Sequence, residues 1–202
     1  MPSAETSNHP SPTALDRFVS SRAATATAFA AGLAEATLLF VVPDLLLTML
    51  ACRALRPALK GAIAALAGAL IGGVLMYVLG ANHPDYSRSL LKHIPGINSS
   101  LIASVENQLR EHGLIALMLG PIKGIPYKIY AVEWGILRGS FVEFLLVSIP
   151  ARYTRFLLTP LAARAIARMI EPFTNHLART EMLLLTLFWV VFYSAYFARV
   201  GW

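Results

Sequence analysis

The stretch "GAIAALAGALIGGVLMYVLG", Gly61–Gly80, carries no charged residue and decides the fold. About 20 apolar residues in a row suffice to cross the hydrocarbon of a bilayer as one helix. Small residues recur on one face of that helix at Ala64, Gly68 and Gly72, and beside it at Ala65, Ala69 and Gly73. Such stripes let helix backbones approach closely in lipid, where van der Waals packing replaces the hydrophobic effect between helices. The stretch therefore reads as a tightly packed transmembrane helix.

The whole chain agrees with that solvent. Of its 202 residues 56% are hydrophobic and 14% charged, with a mean hydropathy of +0.61. A soluble domain carries roughly 25% charged residues. The formal charge of +6 is spread between apolar segments with no long basic run, which argues for membrane topology and anionic lipid and against nucleic acid. Cys52 is the one cysteine, so an intramolecular disulfide is excluded.

Outward from the central helix, two apolar units are broken. Residues 23–52 are too long for one span and are interrupted by Glu35 and Pro43-Asp44. Residues 113–137 contain "GPIKGIPYKIYAVEWG", Gly120–Gly135, with two prolines and the charges Lys123, Lys128 and Glu133. Prolines and ionisable groups at bilayer depth are tolerated only against protein or a water-filled cavity, so this stretch reads as a site. Each unit precedes a spanning helix, and one span separates them, so the two hairpins face opposite sides of the membrane. Arg17 and Arg22 before the first hairpin, and Arg53, Arg56 and Lys60 after it, place its open end on the cytoplasmic side.

The remaining segments complete an all-α, polytopic membrane protein. It has two inverted re-entrant helical hairpins, 23–52 and 113–137, and about three spanning helices, 61–80, 140–169 and 182–198, with interfacial helices added. Residues 1–22 read as a flexible tail ending in an interfacial helix near Asp16–Arg22, and 23–202 as a single membrane domain. Residues 81–97 read as a polar loop. Residues 98–112 read as a surface helix with Leu101, Ile102, Val105 and Leu109 at helical spacing. Pro43, Gly124 and Pro126 read as hairpin formers.

Several motifs resemble the DedA family of membrane proteins, which share the VTT or SNARE-associated domain. They are Glu35 with Pro43-Asp44, "AGALIGGVLMYVLG", "GPIKGIPYK", Gly135, Phe141 and Phe144, and "ARYTRF". The resemblance covers roughly residues 33–156. Many members carry arginines at the start of the second hairpin motif, whereas this chain has Gly120-Pro121 with Lys123 and Lys128. The resemblance implies hairpins that meet at midmembrane and a function as lipid transporter, flippase or scramblase. The lipid would be anionic and phosphate-bearing, a polyprenyl phosphate or a phospholipid, and proton coupling is an implied variant. The implied location is a bacterial cytoplasmic membrane.

The ionisable residues themselves support a phosphate site. Arg152 and Arg155 lie three apart on one helix face, suited to forked donation, and lysines act as point charges. The substrate-binding candidates are therefore Lys123, Lys128, Arg152 and Arg155, and the candidates for ion or proton coupling are Glu35 and Asp44. A lone charge at the bilayer centre costs at least ~2.5 to 3.5 kcal/mol on insertion scales, so these acids should pair with those cations. The competing reading is a non-transporting scaffold in which the same pairs are struts. An intramembrane enzyme is disfavoured, because G-x-S-x-G, H-E-x-x-H and paired histidines on spanning helices are missing. The histidines lack metal-ligand spacing, so no metal and no cofactor are expected.

Overall fold

The computed structural model describes residues 14–37, 43–120 and 124–170, together with 186–191, 194–195 and 198. Among them all regular structure is helical, with no strand. In chain order the helices are α1 (Ala14–Val19), α2 (Arg22–Ala36), α3 (Pro43–Arg53), α4 (Leu55–Asn82) and α5 (Pro84–Lys92). They continue with α6 (Ser99–His112), α7 (Ile115–Leu119), α8 (Tyr127–Ile136) and α9 (Phe141–Ile170).

The axis of the fold is α4, whose buried face is almost entirely alanine and glycine, with Met76 the exception. Ile63, Ile71, Leu75 and Val78 of the same helix are exposed, three to eight residues apart on its outer side. The large apolar residues thus point outward and the small ones inward, the reverse of a helix packed in water. At 28 residues α4 is about 42 Å long, and among the described residues it is the one helix both long and apolar enough to cross a membrane. It starts six residues earlier than the uncharged stretch, because Arg56 and Lys60 fit on its exposed first turns.

Two shorter helices run parallel to α4, one along each half. Ala28 of α2 lies level with Gly61 and Ala36 with Gly72. Tyr127 of α8 lies level with Gly73, and Val132 with Gly80. The approach is set by glycine: a Cβ at Gly68 would run into the carbonyl oxygen of Phe29, and one at Gly80 into that of Val132. Consequently α2 ends, and α8 begins, beside the middle of α4.

The first broken unit turns back on itself. Val19 and Ala24 at its start cluster with Leu50 and Ala51 at its end and with Ala58 at the start of α4. Its arms of 15 and 11 residues are about 22 and 16 Å long, each shorter than the ~30 Å hydrocarbon thickness. Pro43 is the first residue of α3, where a missing N–H costs nothing. In the second unit α8 has only 10 residues, and Gly124 adopts φ 73°, a left-handed turn suited to glycine, two residues before Pro126 caps α8. The long α9 starts against Tyr77 near the end of α4 and reaches the end of α3, where Arg164 donates to the carbonyl of Cys52 at 3.1 Å.

The surface helix near 98–112 is α6, capped by the Asn98 side chain accepting from the Leu101 N–H at 2.8 Å. Residues 81–97, expected as a loop, instead contain the end of α4 and all of α5. The reason is Pro84, which stands at the first position of α5, where its missing N–H costs nothing and its fixed φ suits the start of a helix. Residues 1–13 of the expected tail, residues 38–42, Lys123 and, within the expected span 182–198, residues 182–185, 192–193 and 196–197 lie outside the described residues.

Candidate functional site

Where α2 ends and α8 begins, α9 brings Arg152 and Arg155 to the two acids of the first broken unit. Glu35 stands in the last turn of α2, where the helix dipole disfavours an anion, so a cation is needed there. Arg152 supplies it, donating from Nη2 to Glu35 Oε2. Asp44 stands in the first turn of α3, where the dipole favours an anion, and Arg155 donates to its Oδ2 from Nη2 at 2.5 Å and from Nε at 3.2 Å. Arg155 Nη1 also lies 3.5 Å from Glu35 Oε1, which joins the two pairs into one chain: Arg152, Glu35, Arg155, Asp44. The pairing follows from direction, since α3 and α9 run parallel, with Asp44 opposite Arg155 and Cys52 opposite Arg164.

The most enclosed member is Arg152, with 0% exposure. Its guanidinium carbon lies 4.8 Å from the ring centroids of both Tyr127 and Phe156. Such contacts offset part of the desolvation of a buried cation. The Tyr127 hydroxyl is fixed in turn by Ser148 Oγ at 2.9 Å, and its ring stacks on Phe144. Arg152 nevertheless keeps buried donors unused: neither Nε nor Nη1 has a hydrogen-bond partner, and at the other end of the chain Asp44 Oδ1 is likewise buried and unpartnered. Unused buried donors of a charged group are costly, so they mark a place suited to a further acceptor.

Four of the six charged candidates are thus brought together: Glu35, Asp44, Arg152 and Arg155. Lys128 is buried in the first turn of α8, one residue from Tyr127. Lys123 lies outside the described residues. Among the described residues no cluster of histidine, cysteine, aspartate and glutamate could hold a metal ion.

A second charged cluster, absent from the sequence reading, lies on the α5–α6 side. Glu133 of α8, at 0% exposure, accepts from Arg88 Nε at 2.9 Å and from Arg88 Nη2 at 2.5 Å. Arg88 Nη2 also reaches Glu106 Oε2 at 2.8 Å, and Glu106 Oε1 accepts from Arg110 Nη2 at 2.8 Å. The Arg110 hydrogen bond, opposed by partial desolvation, holds the Glu106 carboxyl below the usual carboxylate range. The Glu133 hydrogen bonds raise Arg88 above its ordinary value. Glu133, one of the charges of the 120–135 stretch, thus has partners separate from those of Glu35 and Asp44. The sole signal for Arg88 was a basic residue in a polar segment.

Comparison with known proteins adds little to this geometry. No family model matches the chain, and no solved structure matches it. An uncharacterized protein of Haemophilus influenzae is 23% identical over 124 residues, 61% of this chain and 64% of the relative. The similarity therefore spans less than two thirds of that relative's length.

Proposed function

We propose that the chain is a polytopic integral membrane protein of DedA type that moves a phosphate-bearing anionic lipid between leaflets of a bacterial cytoplasmic membrane. The observation that carries this reading is Arg152: a fully buried guanidinium with unused donors, at the place where α2 ends and α8 begins beside the middle of α4. The first broken unit opens toward the start of α4 and α8 leaves toward its end, which supports two re-entrant hairpins of opposite orientation. The outward-facing apolar stripes support lipid contact: besides that of α4, Val142, Leu146, Ile149 and Tyr153 of α9 are exposed at helical spacing.

In the empty site Glu35 and Asp44 neutralise the two arginines. A lipid phosphate accepting from Arg152 competes with Glu35, so binding loosens one internal pair, and headgroup affinity stays modest enough for release. Protonation of a carboxyl during exchange is the route by which movement would couple to protons. No catalysis is assigned. The scaffold reading has one specific observation in its favour, since both acids of the site are already paired in the described structure.

Liposomes containing the purified chain and a fluorescent phosphate-bearing lipid separate the two. Transport predicts protein-dependent lipid movement that falls at least tenfold in Arg152→Gln and Glu35→Gln variants that still insert. Movement equal to protein-free liposomes would sink the transport reading and leave the scaffold.

A further inference from the structure

The fold gathers five exposed cations from four helices at one end. Val19 of α1, Ala24 of α2, Leu50 and Ala51 of α3 and Ala58 of α4 form one cluster, and Ala163 of α9 packs against it. Around that cluster stand Arg17, Arg22, Arg56, Lys60 and Arg168, all exposed. From Arg17 onward none of the described side chains at this end is acidic. The opposite end is mixed: Asp85, Glu106, Glu111 and Glu143 there accompany Arg88, Lys92, Arg110 and Arg138. Along α4, Lys60 is 12 residues before Gly72, which lies level with the end of α2, so the rim lies about 18 Å from the level of the Glu35–Arg152 pair. It is a separate surface.

We infer that this rim binds the headgroups of anionic phospholipids in the adjoining leaflet and enriches them around the open end of the α2–α3 unit. The inference rests on the membrane reading above. Charge complementarity selects the occupant, because exposed cations beside an outward apolar face lie at headgroup depth, where each attracts anionic lipid. Arginines and lysines drawn from helices far apart in sequence act there as a single field. Topological bias in the sequence accounts for cations on one side of a membrane, but their convergence around one cluster is a property of the tertiary structure.

Nanodiscs test this without interference from insertion topology, because both of their faces are equivalent. The full chain is incorporated into discs of equal phosphatidylglycerol and phosphatidylcholine, released, and its retained lipids are counted by native mass spectrometry. The wild type should retain phosphatidylglycerol several-fold over phosphatidylcholine. Arg56→Gln with Lys60→Gln should lower that ratio about twofold or more, each cation contributing up to about fivefold. Lys92→Gln at the other end should leave it unchanged. Incorporation with equal retention of both lipids, an unchanged ratio in the double variant, or an equal loss in Lys92→Gln overturns the rim while the membrane reading stands. Failure to incorporate at all would refute the membrane reading and this inference with it.

Discussion

Replacing Arg88 by alanine tests whether the α5–α6 layer is held to the core of the fold by charge. Glu133 has 0% exposure, and both of its oxygens are occupied by Arg88. Without the arginine the carboxylate has no compensating charge in its buried position. Breaking a buried pair from one side costs about 3 to 5 kcal/mol. The Arg88 side chain is 33% exposed, so solvent screens part of the interaction and the low end, about 3 kcal/mol, applies. For a chain of this length that corresponds to a fall in Tm of roughly 6 to 12 °C. Thermal unfolding in detergent, followed by helical circular dichroism, measures it. Arg88→Lys keeps the charge but loses the fork and should fall between the two. Adding Glu133→Gln to Arg88→Ala should recover more than half of the loss, because the orphaned charge is then gone. If Arg88→Ala melts within about 2 °C of wild type, the buried carboxylate is compensated otherwise and the reasoning fails.

Gly68→Ala should destabilise the protein by about 1 to 3 kcal/mol through collision with the Phe29 carbonyl, seen as a lower melting point, with Ala69→Ser nearby as a mild control. Tyr127→Phe removes one hydrogen bond to Ser148 and should cost about 1 kcal/mol, whereas Tyr127→Leu also strips a ring from Arg152 and should cost clearly more in the same melts. Glu106 has a lowered folded-state pKa, so its contribution is present above the unfolded value of 4.5 and is lost as pH falls through the folded one. Hydrogen exchange of α6 should therefore rise as pH is lowered below about 4.5 in the wild type, after correction for intrinsic exchange, and Glu106→Gln should flatten that dependence.

How much of this was legible in the sequence depended on whether the signal was local. The helix α4 was legible because its uncharged length and its small residues are both continuous features of Gly61–Gly80. The same holds for α6, whose Ile102, Val105 and Leu109 repeat and whose Asn98 cap lie within one short stretch. The breaks at Pro43 and Pro126 were also local, and each proline stands at the start of a helix. The charges of the central chain were legible as acids and cations that should pair, but which cation each acid takes was not. Glu35 with Arg152 and Asp44 with Arg155 are more than 100 residues apart, and the choice between them is made by the parallel course of α3 and α9. Arg88 was hidden for the same reason, 45 residues from its partner in a segment that reads as a polar loop.

The placement of α8 explains why so short a helix carries so many charged and aromatic groups. It is buried over nearly its whole surface: every residue from Tyr127 to Glu133 is enclosed by α4, α6, α9 and α5. No large side chain separates it from α4 at Gly80, and Gly135 similarly lets the Tyr77 carbonyl approach. A helix held so closely by backbone contact moves as a rigid body or not at all. Its first residue, Tyr127, covers Arg152, and its seventh, Glu133, is clamped by Arg88. Any shift of the α5–α6 layer that carries Glu133 along must therefore move the ring that covers the buried arginine. That mechanical connection gives the Arg88 variants a second reading. On the transport proposed above, Arg88→Ala in liposomes should change the rate of lipid movement in the same direction as Tyr127→Leu, while Arg110→Gln, whose exposed pair with Glu106 lies farther from α8, should not. Opposite responses of Arg88→Ala and Tyr127→Leu would show that the two charged clusters act independently.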